Sequence, residues 1–185
     1  MRVLFLVLAL VWSRTQPGLA SELAWQALRE GGTVAVLRHA HAPGTGDPPE
    51  FRLSDCSTQR NLSSEGREQA RQIGVQFRAK NIFVERVLSS EWCRCLDTAR
   101  LAFGDRLEPF RALNSFFSNQ DVEERQTRAV RELIDGWRAR AGVLVLVTHQ
   151  VNVTALTGVY PAEGEILVLK LRATSGFDLV ARLRP

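Results

Sequence analysis

The stretch Thr33-Val34-Ala35-Val36-Leu37-Arg38-His39-Ala40 decides the fold. Its first five residues are apolar or β-branched without a break, the pattern of a strand buried on both faces of a sheet. A guanidinium and an imidazole follow at once. Val143 to Val147 (Val-Leu-Val-Leu-Val) repeats this layout as the most hydrophobic strand of the chain and ends in Thr148-His149. Val84 to Leu88 is read as a third strand of the buried type, ending in Ser89-Ser90 with Arg94 just beyond.

Helical patterns separate these strands. Ser21 to Arg29 forms a short helix with Leu23, Ala24, Ala27 and Leu28 on one face, closed by Gly31-Gly32. Ser63 is placed as the N-cap of a helix running to about Ala79, with Ala70, Ile73, Gly74 and Phe77 inward. Further helices are expected from about Trp92 to Phe103, from Asp121 to Arg140 and from Asn152 to Leu156. Ile166 to Leu171 and Phe177 to Leu183 read as two edge-type strands joined by a turn at Thr174-Ser175-Gly176. Alternating strands and helices predict an α/β protein with three α/β/α layers and a mostly parallel central sheet. The longest irregular stretch is His41 to Asn61.

The chain has 185 residues, 45% of them apolar and 24% charged, with 13 Gly and 7 Pro, which excludes collagenous, low-complexity and disordered classes. Met1-Arg2, an apolar run from Val3 to Trp12 and small residues at Gly18 and Ala20 have the layout of a secretory signal peptide. Residues 1–20 are therefore expected to be a leader cleaved after Ala20, and residues 21–185 a single domain in the periplasm or secreted. Ten apolar residues fall short of the roughly 20 that cross a bilayer, so no membrane insertion is expected after cleavage.

Lys occurs only at positions 80 and 170, so 22 of the 24 basic residues are Arg. Loss of Arg2 and Arg14 with the leader would leave 22 basic against 20 acidic residues. With no aromatic-interleaved basic stretch, nucleic acid is not an expected partner. Of the three Cys, Cys56 is expected to pair with either Cys93 or Cys95, leaving one over. Cys93 and Cys95 make a poor zinc half-site, and no metal site is expected.

In open α/β sheets ligands bind beyond the carboxyl ends of the strands. Arg38-His39, Ser89-Ser90 with Arg94, and Thr148-His149 all fall there, so two of only three histidines lie at one sheet edge. Such a cluster suits phosphoryl transfer. Guanidinium forks match phosphate oxygens without a metal, and neutral imidazole is a nucleophile near physiological pH. A second imidazole can bond the oxygens where charge spreads in the transition state, and the helix after His149 can add N–H groups. No cofactor is required.

Four segments carry a resemblance. Leu37-Arg38-His39-Ala40 resembles the Arg-His-Gly motif of the histidine phosphatase superfamily, the phosphoglycerate mutase-like proteins. Asn61 to Ala70 is similar to that family's Leu-Thr-x-x-Gly-x-x-Gln-Ala helix start. Leu88 to Ala99 resembles its Ser-Ser-x-x-x-Arg-x-x-x-Thr-Ala segment, and Val147-Thr148-His149 the strand delivering its second histidine. The resemblance implies a phosphoglycerate mutase-like fold, a phosphohistidine formed on His39, phosphate bound by Arg38, Arg94 and His149, and catalysis shared by His39 and His149. Ala40 and Gln150 stand where many members have Gly.

The general acid departs from the family. Ser115 occupies the position, two residues after Leu113, where many relatives carry Glu, and a hydroxyl is too weak an acid for the role. Asp47, Asp55, Glu91 and Asp121 are the candidate substitutes. Glu91, one turn from Arg94, is placed with the catalytic residues; its alternative is an exposed first-turn carboxylate favoured by the helix dipole. His41, Arg52 and Arg60 are expected to bind the substrate beyond its phosphate.

The expected activity is hydrolysis of a phosphorylated small molecule, envelope sugar phosphates among the candidates by analogy with relatives. The alternative is a degenerate module of the same fold that binds phosphate ligands without turnover. A serine hydrolase using Ser89 or Ser90 with His149 is disfavoured by the lack of a Gly-x-Ser-x-Gly elbow.

Overall fold

Two apolar strands lie at the centre of the sheet. In the computed structural model, which describes residues 17–184, β1 (Thr33–Arg38) pairs in parallel with β4 (Val143–Thr148), and β4 in parallel with β2 (Val84–Ser89). A two-residue strand, β3 (Glu108–Pro109), closes one edge. On the other side β5 (Ile166–Leu171) runs antiparallel to β1, and β6 (Phe177–Leu183) antiparallel to β5. The six-stranded order is β3-β2-β4-β1-β5-β6. Only β5 opposes the rest, so the sheet is mostly parallel, as expected.

Strand alternation sends consecutive side chains of β1 and β4 to opposite layers. Ala35, Leu37, Val143, Val145 and Val147 pack with Leu28, Ile73, Phe77 and Ala99, under α1 (Pro17–Glu30), α2 (Ser64–Ala79) and α3 (Cys93–Phe103). Val34, Val36, Leu144 and Leu146 pack with Val130, Ile134, Val153 and Leu156 of α4 (Glu123–Asp135) and α5 (Gln150–Thr157). Each fully buried Val, Leu or Ile contributes about 1.5–3 kcal/mol, which makes this pair the anchor of both layers. Ser63 caps α2 by accepting from Gly66 N at 3.0 Å. Gly74 lets α2 approach α3: a Cβ there would stand 2.1 Å from the Ala102 carbonyl oxygen.

Several expectations are corrected. β5 is interior, with Ile166 to Leu169 fully buried, because β6 covers its outer edge; only β6 and β3 are edges. The first half of β2 is not buried, since Val84-Glu85-Arg86 straddles a register shift where Glu85 turns to Gly142 N. α4 ends at Asp135, and Trp137 reaches the core from beyond it. On α1, Trp25 takes the inward place assigned to Leu23, which is 62% exposed.

α1 runs unbroken from Pro17 through Ala20-Ser21, the junction expected to be cleaved. The rest of that leader lies outside the described residues. Among those described, no helix is long and apolar enough to cross a membrane.

Cys56, in a 3-10 turn at Cys56–Thr58, is disulfide-bonded to Cys93 at the start of α3, and Cys95 is free and buried. Helical phase decides between the two: residues two apart on a helix point about 200° apart, so one alone can face Cys56. The bond closes a loop with a sequence separation of 37, for which loop-closure entropy gives about 3–4 kcal/mol. Reduction is expected to lower the urea-unfolding free energy by that amount, and Cys56→Ser should match the reduced wild type; identical denaturation curves with and without reductant would contradict it.

Candidate active site

The β1–β4 ladder continues one step past β1, where His39 N donates to Thr148 O at 2.9 Å. That bond sets the two histidines side by side, with ring centroids 5.5 Å apart and planes at 68°. Both are buried, at 2% and 3% exposure. His39 Nδ1 lies 2.8 Å from the Ala40 carbonyl oxygen, which can only accept. The proton is therefore assigned to Nδ1, leaving the Nε2 lone pair free. Around His149 the assignment reverses. The guanidinium of Arg94 approaches Nδ1 at 3.5 Å as a donor, so Nε2–H donates to Ser90 Oγ at 2.8 Å, which in turn donates to Asn114 Oδ1 at 3.3 Å.

Burial pushes His39 down to about 3, and the charges of Arg94, Arg60 and Arg38 act the same way against the hydrogen bond to Ala40. Burial also lowers His149 well below the usual imidazole range, with Arg94 adding to it. Both rings are neutral at physiological pH.

Arg94, in the first turn of α3, is 2% exposed. Its two terminal nitrogens donate in a fork to the Asp47 carboxylate, at 2.7 and 3.0 Å. Asp47 also accepts from Arg60 N at 3.1 Å and the Trp92 indole at 3.0 Å. Burial raises its carboxyl, but these bonds and the Arg94 charge outweigh that and hold it below the usual carboxylate range. Arg38 donates to Pro161 O at 2.9 Å and lies 3.5 Å from Glu163. Two buried donors, Arg38 Nε and Arg94 Nε, have no acceptor among the described residues.

These groups share a cavity of about 980 Å³ at the carboxyl ends of β1, β2 and β4. Arg38, His39, Arg60, Glu91, Arg94 and His149, all named from sequence, line it. His41 and Arg52 do not. His41 turns outward to Glu163 Oε2 at 2.6 Å, and Arg52, its side chain 66% exposed, pairs with Asp55 at 2.8 Å. Of the acid candidates, Asp55 is taken up by that pair and by Ser57, and Asp121 is exposed outside the lining. Asp47 and Glu91 remain, and Glu91 accepts from Asn114 Nδ2 at 2.6 Å.

Ser90 Oγ accepts from His149 and so has no base there; it is also fully buried among Asn114, Trp92 and His149 and absent from the cavity wall, with no access to a substrate. No group of three His, Cys, Asp or Glu among the described residues is placed to hold a metal ion.

Two residues escaped the sequence reading. Asn114 joins Glu91 to Ser90 and, through its carbonyl, to Asn152 at 2.9 Å and Gln126 at 2.9 Å. Glu163 faces Arg38, His41 and Arg60 from the loop before β5. Neither lies in a motif; the one available signal for Asn114 was its place beside the anomalous Ser115.

No protein-family model matches the sequence, and no curated protein does so either. Solved structures do. A protein assigned as the phosphohistidine phosphatase SixA of Agrobacterium tumefaciens superposes with a TM-score of 0.56 at 20% identity, covering 83% of this chain and 97% of that one. The chain has the histidine phosphatase, or phosphoglycerate mutase-like, fold. Phosphoserine phosphatase of Entamoeba histolytica, solved with 3-phosphoglyceric acid, gives 0.59 at 13% identity, with coverage of 83% and 97%. Mycobacterial glucosyl-3-phosphoglycerate phosphatase, solved with VO3, gives 0.58 at 16%, with 80% and 97%.

Two outcomes follow from the buried charges. Removing one member of a buried ion pair costs about 3–5 kcal/mol, so Asp47→Ala should lose stability of that order in urea unfolding; a loss near zero would mean Arg94 does not depend on Asp47. Both histidines titrate lower folded than unfolded, so below about pH 6.5 the unfolded chain binds protons that the folded chain refuses. Stability should be level above that pH and fall beneath it, by up to about 1.4 kcal/mol per pH unit for each histidine. Between pH 6.5 and about 4.5, above the carboxylate range, His39→Gln/His149→Asn should flatten the curve; an equally flat wild-type curve would show that the imidazoles titrate alike in both states.

Proposed function

We propose that this protein is a phosphomonoester phosphatase acting through a phosphohistidine on His39. One observation carries the reading: a buried, neutral His39 with Nε2 free shares a cavity with Arg38 and Arg94, each holding a buried Nε–H without an acceptor. Phosphate oxygens supply acceptors for those donors. The fold neighbours support it, being phosphatases solved with VO3 or with a phosphorylated acid.

In the proposed step, His39 Nε2 attacks phosphorus as the ester P–O bond breaks, and the leaving oxygen takes a proton to depart as the alcohol. Water then attacks the phosphohistidine, releasing phosphate and restoring the imidazole. Arg38 and Arg94 hold the equatorial oxygens, and His149 stands beside them through Nδ1. Asp47 makes on Arg94 the forked contact that two phosphate oxygens would make, so substrate must displace it. Asp47 is also a poor proton donor, since it is held ionised. That leaves Glu91 as the general acid. No cofactor takes part.

The Cys56–Cys93 disulfide supports export, because such bonds persist in oxidising compartments. The same reading includes a leader over residues 1–20, a periplasmic or secreted location and envelope sugar phosphates among the substrates. A second reading has its own observation. Ser115 at the acid position accepts from Phe117 N and carries no carboxyl, which favours a phosphate-binding module without turnover.

Hydrolysis of p-nitrophenyl phosphate separates the two, because its leaving group needs little protonation. His39→Ala should lower the rate by a factor of about 10³ or more; equal rates in wild type and variant leave the binding module. Glu91→Gln should slow an alkyl phosphate by about 10²-fold or more and p-nitrophenyl phosphate far less. Equal slowing of both esters would remove Glu91 from the acid role.

A further inference from the structure

The wall of the cavity carries more positive charge than one phosphate uses. Arg38, Arg60 and Arg94 surround the histidines, and Arg111 and Arg125 line the same cavity. Asp47 and Glu91 stand among these five guanidinium groups, Glu163 faces Arg38 and Arg60, and both histidines are neutral. A phosphomonoester held by Arg38 and Arg94 leaves Arg111 and Arg125 without an anionic partner.

The five arginines divide by how they are held. Arg38 is tied to Pro161 O and Glu163, Arg60 to Gly46 O and Ala42 O, and Arg94 to Asp47. Among the described residues Arg111 and Arg125 find neither an ion pair nor a side-chain hydrogen bond, a condition that of the described arginines only Arg106 shares. Both are exposed, where a guanidinium retains its hydration until an anion arrives.

Their backbones nevertheless stand at a set place relative to the reacting groups. Arg111 opens the 3-10 turn Arg111–Leu113, and Arg125 lies in the first turn of α4. Gln126, next to Arg125, donates to the carbonyls of Arg111 at 3.1 Å, Ala112 at 3.2 Å and Asn114 at 2.9 Å. Asn114 is the same residue that reaches Ser90 and, through it, His149. Phe117 and Tyr160, 54% and 68% exposed, line this cavity too and offer apolar faces to the body of a bound molecule.

We infer that Arg111 and Arg125 form a second anion subsite, and that the site takes phosphomonoesters bearing a second phosphate or a carboxylate. The assignment of the first phosphate to Arg38 and Arg94 rests on the phosphatase reading; the second subsite rests on the charge and the unpaired state of Arg111 and Arg125.

Binding tests it apart from turnover. In the His39→Ala protein, calorimetric titration of fructose 6-phosphate and fructose 1,6-bisphosphate compares ligands with the same sugar that differ in one phosphate. The bisphosphate is expected to bind about tenfold tighter, and adding Arg111→Gln and Arg125→Gln should bring the ratio to within about twofold of unity. Equal affinities in His39→Ala, a ratio that survives loss of both arginines, or no measurable binding of either sugar would overturn the subsite. A failed phosphatase reading shows itself elsewhere, as hydrolysis of p-nitrophenyl phosphate that does not depend on His39.

Discussion

Everything at the site depends on the parallel pairing of β1 with β4. Leu37 opposite Val147 and Arg38 opposite Thr148 fix a register, and the bond from His39 N to Thr148 O carries it one step beyond β1. Two histidines 110 residues apart in sequence become neighbours by that ladder alone. A slip of one residue would turn alternate side chains to the wrong layer, and both faces are filled with buried Val and Leu. The packing of two hydrophobic layers therefore enforces the geometry of a polar site.

That same packing sets the chemistry. Imidazoles placed just past buried strand ends lose their hydration, and three arginines around them further oppose protonation. The outcome is a pair of neutral rings in a strongly positive surround. Such a surround cannot be left bare in a buried place: Asp47 satisfies Arg94, and Glu163 lies near Arg38 and Arg60. Burial of the bases and provision of carboxylates for the arginines are two answers to one electrostatic problem.

How much of this was legible follows from where each signal is stored. β1 and β4 could be read because their runs are continuous, and Arg38, His39, Arg94 and His149 because they follow strands or a motif. β5 has an equally continuous run, Ile166-Leu167-Val168-Leu169, but the turn before Phe177 marks a terminal hairpin without telling which of its two strands lies inside the sheet. Residues beyond the strand ends were harder. His41 lies two positions from His39 but turns to Glu163, a partner 122 residues away that no local pattern announces. Asn114 owes its role to contacts with Glu91 and Ser90, which exist only once the loop after β3 is folded against the start of α3.

The first turn of α3 shows how a short sequence serves several demands at once. Cys93, Arg94 and Cys95 are consecutive, so each points about 100° from the next. Cys93 faces the 3-10 turn and is bonded to Cys56; Arg94 faces the cavity and Asp47; Cys95 faces the sheet, its sulfur 3.5 Å from His149 Nε2. Burial raises the Cys95 thiol to about 12, so it remains an uncharged, inert filler beside the His149 ring. The disulfide thus anchors the helix turn that carries Arg94 to the loop region that carries Asp47, with Gln59 reinforcing the link by accepting from Cys93 N at 3.0 Å. The covalent tie lies on the neighbouring face of the helix, restraining the loop without occupying the guanidinium that Asp47 holds, so in the proposed reaction Arg94 stays free to exchange Asp47 for an anion.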